Sequence, residues 1–165
     1  MPSRRSGEAV SSPIFVSNED VAFMRLAIEE AMKAFESGEV PVGAIVVCGG
    51  KVVARAHNMR ESLRSPLAHA EMLAIEAAAK ATGDWRLNRA TLYVTLEPCP
   101  MCAGAMIQAR LGRLVFGAYD ERAGAAGSVV NLFGLSPFDG IVAVVGGVLC
   151  EECAGLLRRF FEQRR

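Results

Sequence analysis

Val21, Met24, Ala27, Ile28, Ala31 and Phe35 fall on one stripe of a helix, and polar residues fill the positions between them. Ser17 stands where its hydroxyl can cap that helix, Asp20 approximates the far side of a capping box, and Gly38 closes it. Beyond Pro41 the period changes. Val42 to Val47 is a run of β-formers, Cys48-Gly49-Gly50-Lys51 reads as a turn, and Val52 to Ala56 returns as the second strand of a hairpin. After a polar loop over Arg60 to Pro66, helix and strand patterns alternate. The pattern predicts a helix from Ala68 to Ala81, a strand from Thr91 to Leu96, a helix from Cys99 to Arg110 and a strand from Leu114 to Ala118. A small-residue loop follows over Tyr119 to Ser128, then a strand from Ile141 to Val145 and an amphipathic helix from Glu151 to Gln163. Five strands and about four helices in this order predict an α/β fold, a three-layer α/β/α sandwich around a five-stranded mixed sheet.

Length and composition narrow this picture. A chain of 165 residues suits one domain, expected over 18–165, and the Ser/Gly/Arg-containing stretch 1–17 lacks the apolar segment of a secretory signal and reads as a disordered tail. Lys and Arg together number 18 and so do Asp and Glu, so there is no global basic field, and nucleic-acid binding would have to come from a local patch. No apolar run approaches the roughly 18 residues that span a membrane. Five cysteines, an odd number, without a secretory signal favour a reducing cytoplasm over a disulfide framework.

The chemistry concentrates in two short motifs. His69-Ala70-Glu71 opens one predicted helix, and Pro98-Cys99-Pro100-Met101-Cys102 opens the next. One imidazole and two thiols at i and i+3 form a zinc-ligand set, and three protein ligands instead of four leave a coordination position open, as in a catalytic site. Glu71, two residues past the histidine, can reach that position as a proton carrier without ligating. A second Cys-x-x-Cys, Cys150-Glu151-Glu152-Cys153, has no further His or Cys pair to complete a site and is expected to hold no metal. Asn58, at the end of the second hairpin strand, can either form the turn or hydrogen-bond a base edge. His57 beside it reads as exposed or hydrogen-bonded, and Cys48 as a small buried filler. Arg158, Arg159, Arg164 and Arg165 make the C-terminal end locally basic, which suits either a solvated helix face or phosphate contact.

His-x-Glu followed by Pro-Cys-x-x-Cys is the signature of zinc-dependent nucleobase deaminases. From Val21 to Arg165 the chain resembles the cytidine deaminase superfamily and, within it, the bacterial tRNA-specific adenosine deaminases. The resemblance rests on Glu39-Val40-Pro41-Val42-Gly43-Ala44, on Ala68-His69-Ala70-Glu71-Met72, and on the run from Thr91 to Met106. It continues in Val115-Phe116-Gly117-Ala118, Asp120 and Gly124-Ala125-Ala126-Gly127-Ser128. That last loop, with Phe160-Phe161 near the C-terminus, points to the tRNA branch.

The resemblance implies a cytidine-deaminase-like fold and a homodimer with one zinc ion per subunit. It also implies hydrolysis of the wobble adenosine of a tRNA anticodon stem-loop to inosine and ammonia. His69, Cys99 and Cys102 would hold zinc, and Glu71 would shuttle protons. Asn58 and the backbone N–H of Ala70 would read the base, with Val42 against its face. Asp120 would contact the neighbouring nucleotide, and Phe161, Arg164 and Arg165 would line the RNA path. The chain departs from the family pattern at Ser65-Pro66-Leu67-Ala68, where Asp-Pro-Thr-Ala is usual, at Asp139-Gly140 for Asn-His, and at Glu162 for a basic residue. A free-base or nucleoside deaminase of the guanine type is the enzyme alternative, and a zinc-binding scaffold the non-enzyme one. An intact Glu71 argues against the scaffold, which has no use for it.

Overall fold

In a computed structural model the structure describes residues 16–164. The expected tail over 1–17 therefore lies outside the described residues but for its last two. Helix α1 (Asn18–Glu36) is followed by strands β1 (Gly43–Cys48) and β2 (Lys51–His57), helix α2 (Ala70–Thr82), strand β3 (Ala90–Leu96), helix α3 (Pro100–Gln108), strand β4 (Arg113–Ala118), strand β5 (Ala143–Val145) and helix α4 (Cys150–Glu162). The sheet order is β2-β1-β3-β4-β5. β1 is antiparallel to both β2 and β3, while β3 pairs in parallel with β4 and β4 with β5. This is the expected mixed sheet.

Alternation along the strands explains the three layers. Ala44, Val46, Leu92, Val94, Leu114 and Phe116 point to one face and pack with α2 and α3 residues such as Ala70, Ala74, Cys102 and Met106. Ile45, Val47, Tyr93 and Val115 point to the other and pack with Met24 and Ala27 of α1 and Cys153 of α4. Because both faces are covered, the central strands are almost continuously apolar. The hairpin closes through Gly49 and Gly50, with φ of 59° and 76°, in the left-handed conformation that a two-residue turn demands of both central residues.

Three departures have local causes. β5 pairs over three residues only, Ala143–Val145 against Arg113–Val115, whereas the apolar run predicts a strand from Ile141. Ile141 and Val142 pack into the core ahead of the pairing. The segment after Ser128 contains a short 3₁₀ turn, Leu132–Gly134, which carries Phe133 into the core. Cys48, expected to be buried, is half-buried at the strand end.

Asp20 does more than cap. Ser17 and Asp20 form the reciprocal capping box, and the Asp20 carboxylate, 2% exposed, also accepts from Arg113 at 2.6 and 2.8 Å and from the Tyr93 hydroxyl at 2.7 Å. The start of α1 is thus tied to β3 and β4. The Arg113 guanidinium holds the Asp20 carboxyl well below the usual carboxylate range. A depressed folded-state pKa contributes stability that is complete above the unfolded value and is lost as pH falls through the folded one. Asp20→Asn is expected to cost about 2–4 kcal/mol near pH 7, below the top of the range for a broken buried pair because Arg113 is partly exposed. The difference from wild type should shrink below about pH 4, which denaturant titrations at several pH values would measure.

Candidate active site

Two helix starts face the same end of the sheet. β3 ends at Leu96, and Pro98 leads directly to Cys99, the N-cap of α3, with Pro100 at the first helical position where its missing N–H costs nothing. His69 is the N-cap of α2. Neither N-cap side chain makes a capping hydrogen bond to its helix, and both turn toward each other. Cys102 lies one turn into α3, on the same side as Cys99 and fully buried. In the loop before His69, the Ser65 hydroxyl accepts from the Leu67 N–H at 3.3 Å.

The three side chains meet. The Nδ1 of His69 lies 3.6 Å from the Cys99 sulfur and 3.5 Å from the Cys102 sulfur, and the three candidate ligand atoms all lie within 4.8 Å of one another. For Zn–S bonds of about 2.3 Å and a Zn–N bond of about 2.0–2.1 Å at the tetrahedral angle, an N···S edge is about 3.6 Å. The residues present fit a zinc ion through Nδ1 and both sulfurs. Electrostatics agree. A hydrogen bond from the Cys102 thiol, reinforced by His69, pulls Cys99 down to about 4. The Cys102 thiol is held well above its ordinary range by Cys99 and by burial. His69 is raised, first of all by its hydrogen bond to Cys99. Cys99 thus favours the thiolate that a dication binds, while the protons favoured on Cys102 and His69 are the ones a dication would displace.

Glu71, at the second position of α2, is 4% exposed. Burial, with the negative Cys99 adding to it, pushes its carboxyl up to about 7. A carboxyl poised near neutrality can both take and return a proton, which is what a general acid–base residue needs.

A cavity of about 450 Å³ opens over this cluster. His69, Ala70, Glu71 and Cys99 line it, as do Val42, Asn58, Asp120, Phe161 and Arg164. Every site residue expected from the sequence and described in the structure, Cys102 apart, therefore borders one space, and Cys102 lies just behind it. Arg165 lies outside the described residues. The Ala70 N–H sits at the first position of α2, where a helix leaves donors unpaired. Asn58 braces its turn: its Nδ2 donates to the Val40 carbonyl at 3.2 Å and its Oδ1 accepts from the Arg60 N–H at 3.1 Å. The His57 Nδ1 lies 3.5 Å from a Glu30 carboxylate oxygen, and His57 does not line the cavity. The Arg164 guanidinium stacks 4.1 Å over Phe160 and donates to the Gly38 carbonyl at 2.7 Å, while Phe161 is 48% exposed at the rim.

Two lining residues carry a role that the sequence reading did not assign. Glu39, 2% exposed, accepts from the Glu61 and Ser62 N–H groups, each at 2.9 Å, and from the Ser62 hydroxyl at 2.7 Å, pinning the loop that precedes the His69 helix. Burial opposes its ionisation, and the bonds from Ser62 and Glu61 outweigh that and hold it below the ordinary range. Glu97, also 2% exposed, holds the opposite wall. The one sequence signal for either is an acid set hard against a strand that pattern places in the core.

The second Cys-x-x-Cys stays apart. Cys153 is buried against β4, where a Cβ on Gly117 would stand 2.5 Å from its sulfur, and among the described residues the one metal-competent group is His69, Cys99 and Cys102. Replacing Cys150 and Cys153 together by serine is expected to leave zinc content unchanged by elemental analysis. A drop would give this pair a metal role.

Residues 18–135 match the MafB19-like deaminase family. The chain is 53% identical over 147 residues to the tRNA-specific adenosine deaminase of Bacillus subtilis, covering 89% of this chain and 91% of that one. The chain belongs to the tRNA-specific adenosine deaminases. A solved structure from work on A-to-I editing by tRNA:A34 deaminases superposes with a TM-score of 0.79 at 44% identity, over 82% of this chain and 98% of its own. The guanine deaminase of Nitrosomonas europaea superposes with a TM-score of 0.70 at 24% identity, over 88% of this chain and 85% of its own, and so shares the fold. In this chain His69, Glu71 and Cys99 line the cavity just described, with Cys102 completing the metal-competent group.

Proposed function

We propose that the protein hydrolyses the wobble adenosine of a tRNA anticodon loop to inosine and ammonia. The observation that carries this reading is the meeting of His69, Cys99 and Cys102 under a cavity that also holds buried Glu71, in a chain so close to a tRNA-specific adenosine deaminase. Zinc bound by His69, Cys99 and Cys102 supplies a Lewis acid that makes water nucleophilic at neutral pH. Glu71 takes the proton released as an oxygen bonds to C6 of the purine. It passes that proton to N1, then takes a second one from the new C6 hydroxyl and passes it to the amine as the C6–N bond breaks, and its residence near neutrality suits both directions. A base inside a stack cannot reach so enclosed a floor, so the adenosine enters flipped out. Val42 packs on its face, the Ala70 N–H donates to its edge, and Asn58, held by its turn, offers its remaining lone pair and amide hydrogen. Asp120, Phe161 and Arg164 receive the flanking nucleotides.

The active form is a homodimer on this reading. Leu63, Leu67 and Trp85 are 52%, 57% and 55% exposed and rim an apolar groove of about 610 Å³ against α2 and α3, a surface suited to a second copy. Light scattering should give twice the 17.6 kDa chain mass. Five unpaired thiols fit a reducing compartment, the cytoplasm. No described helix is long and apolar enough to cross a membrane. The binding test is fluorescence anisotropy of a labelled anticodon stem-loop against rising salt. Phosphate contacts make affinity fall steeply with salt; stem-loop binding that is absent, or indifferent to salt, would count against an RNA substrate.

A further inference from the structure

The loop from Asp120 to Ser128 is wrapped around one buried carboxylate. Glu97 Oε1 accepts from the Asp120 N–H at 3.1 Å and from the Ser128 hydroxyl, while Oε2 accepts from the N–H groups of Ala126 and Ser128, each at 3.1 Å. Four donors on two oxygens saturate the group, which is what lets a charge sit 2% exposed. The loop's composition follows from this. A Cβ on Gly124 would lie 2.3 Å from Glu97 Oε2, so a glycine is needed where the carboxylate passes, and Ser128 is needed for its hydroxyl. Asp120, so held, uses Oδ1 to accept from the Arg122 and Ala123 N–H groups at 2.9 and 3.2 Å. Among the described residues its Oδ2 accepts no hydrogen bond. Both Glu97 and Asp120 border the cavity.

We propose that Glu97 is a positioning residue that acts through Asp120, fixing the loop so that Asp120 presents its free oxygen to the nucleotide beside the wobble adenosine. This rests on the tRNA reading above. Glu97 touches neither the base nor the zinc ligands in this assignment; it sets the register of one wall of the cavity. Without it, a loop built of Gly and Ala has few side chains to anchor it.

Glu97→Gln separates this role from bulk stability. An amide nitrogen at Oε2 would face two backbone N–H groups that cannot accept. At Oε1 it faces the Asp120 N–H and a hydroxyl that can rotate to accept. The second orientation wins, so glutamine keeps the bonds to Ala126 and Ser128 and gives up the one to Asp120. For the full-length zinc protein on an anticodon stem-loop, KM should rise about tenfold, the worth of one hydrogen bond to a charged group. The kcat should stay within about threefold, because that bond lies outside the reacting atoms. Combined with Asp120→Ala, the glutamine should add nothing further to KM, since both changes remove one interaction. A merely structural role would lower kcat, zinc content and melting temperature together and would add to Asp120→Ala.

If Glu97→Gln does not fold, Ser128→Ala removes one donor from the same carboxylate and should raise KM about threefold with kcat kept. An unchanged KM in Glu97→Gln, or in Ser128→Ala where that variant must stand in, overturns the proposal. So does an additive double variant. A wild-type protein inactive on the stem-loop would instead overturn the tRNA reading, so the two failures are distinguishable.

Discussion

Glu71→Ala is expected to retain zinc and to lose about 10³- to 10⁴-fold in turnover, the upper part of the range for a general acid–base residue because one carboxyl serves several proton transfers. The expectation follows from place. Glu71 is buried in the cavity that His69 and Cys99 also line, and it stands outside the set of three whose atoms converge at metal-ligand spacing. Elemental analysis and single-turnover rates on the same preparation check both halves. Metal-free Glu71→Ala protein would make Glu71 a ligand. Glu71→Gln, which keeps the shape and removes the titration, should be as slow as the alanine variant; wild-type turnover would mean that another group carries the proton. A stability signature accompanies this. Burial raises the Glu71 carboxyl from 4.5 to about 7, so the folded metal-free protein favours the protonated form. Metal-free wild type should therefore lose stability relative to Glu71→Gln as pH rises from about 4.5 to 7 and hold a constant deficit above that.

Cys102→Ala should abolish activity by a different route, with zinc content falling from one per chain toward zero. Cys102 is fully buried and supplies one of two sulfurs 3.5–3.6 Å from the His69 Nδ1, so its loss leaves an imidazole and a single thiol. Two protein ligands do not make a zinc site of either the structural or the catalytic kind. The truncation also leaves a small buried void, so stability should drop by about 1–2 kcal/mol for packing alone. Chelation of the wild-type protein separates the two effects, because activity lost to a chelator should return on adding zinc with no change in the chain. Activity in a zinc-free Cys102→Ala protein would contradict the metal assignment outright.

The elements and the floor of the site were legible for the same reason: both are local. The stripe of α1, the glycine hairpin and the alternation of Leu92, Tyr93 and Val94 between two apolar layers are written in residues a few positions apart. So are His69-Ala70-Glu71 and Cys99-Pro100-Met101-Cys102, and the strand-to-helix joints that follow from their patterns bring the two motifs to one end of the sheet. What the sequence hid is long-range polar pairing. Asp20 reads as a capping residue, and its bonds to Arg113 and Tyr93 span 93 and 73 positions. Glu39 and Glu97 enter the sequence only as members of longer motifs, and their partners are mostly backbone N–H groups that no residue type reveals. Asn58 showed both faces of its ambiguity. It braces the turn, as a turn asparagine does, and in doing so it is aimed along the cavity wall.

The central claim is that this cavity deaminates an adenosine presented by RNA. The most direct measurement follows ammonia release and inosine formation by the purified zinc protein on an anticodon stem-loop bearing a wobble adenosine, beside free guanine, adenosine and cytidine. Inosine at the wobble position, with the free compounds unchanged, is the expected result. Turnover of guanine or another free base with the stem-loop untouched would contradict it, and would give the same ligands and the same Glu71 to a small-molecule deaminase.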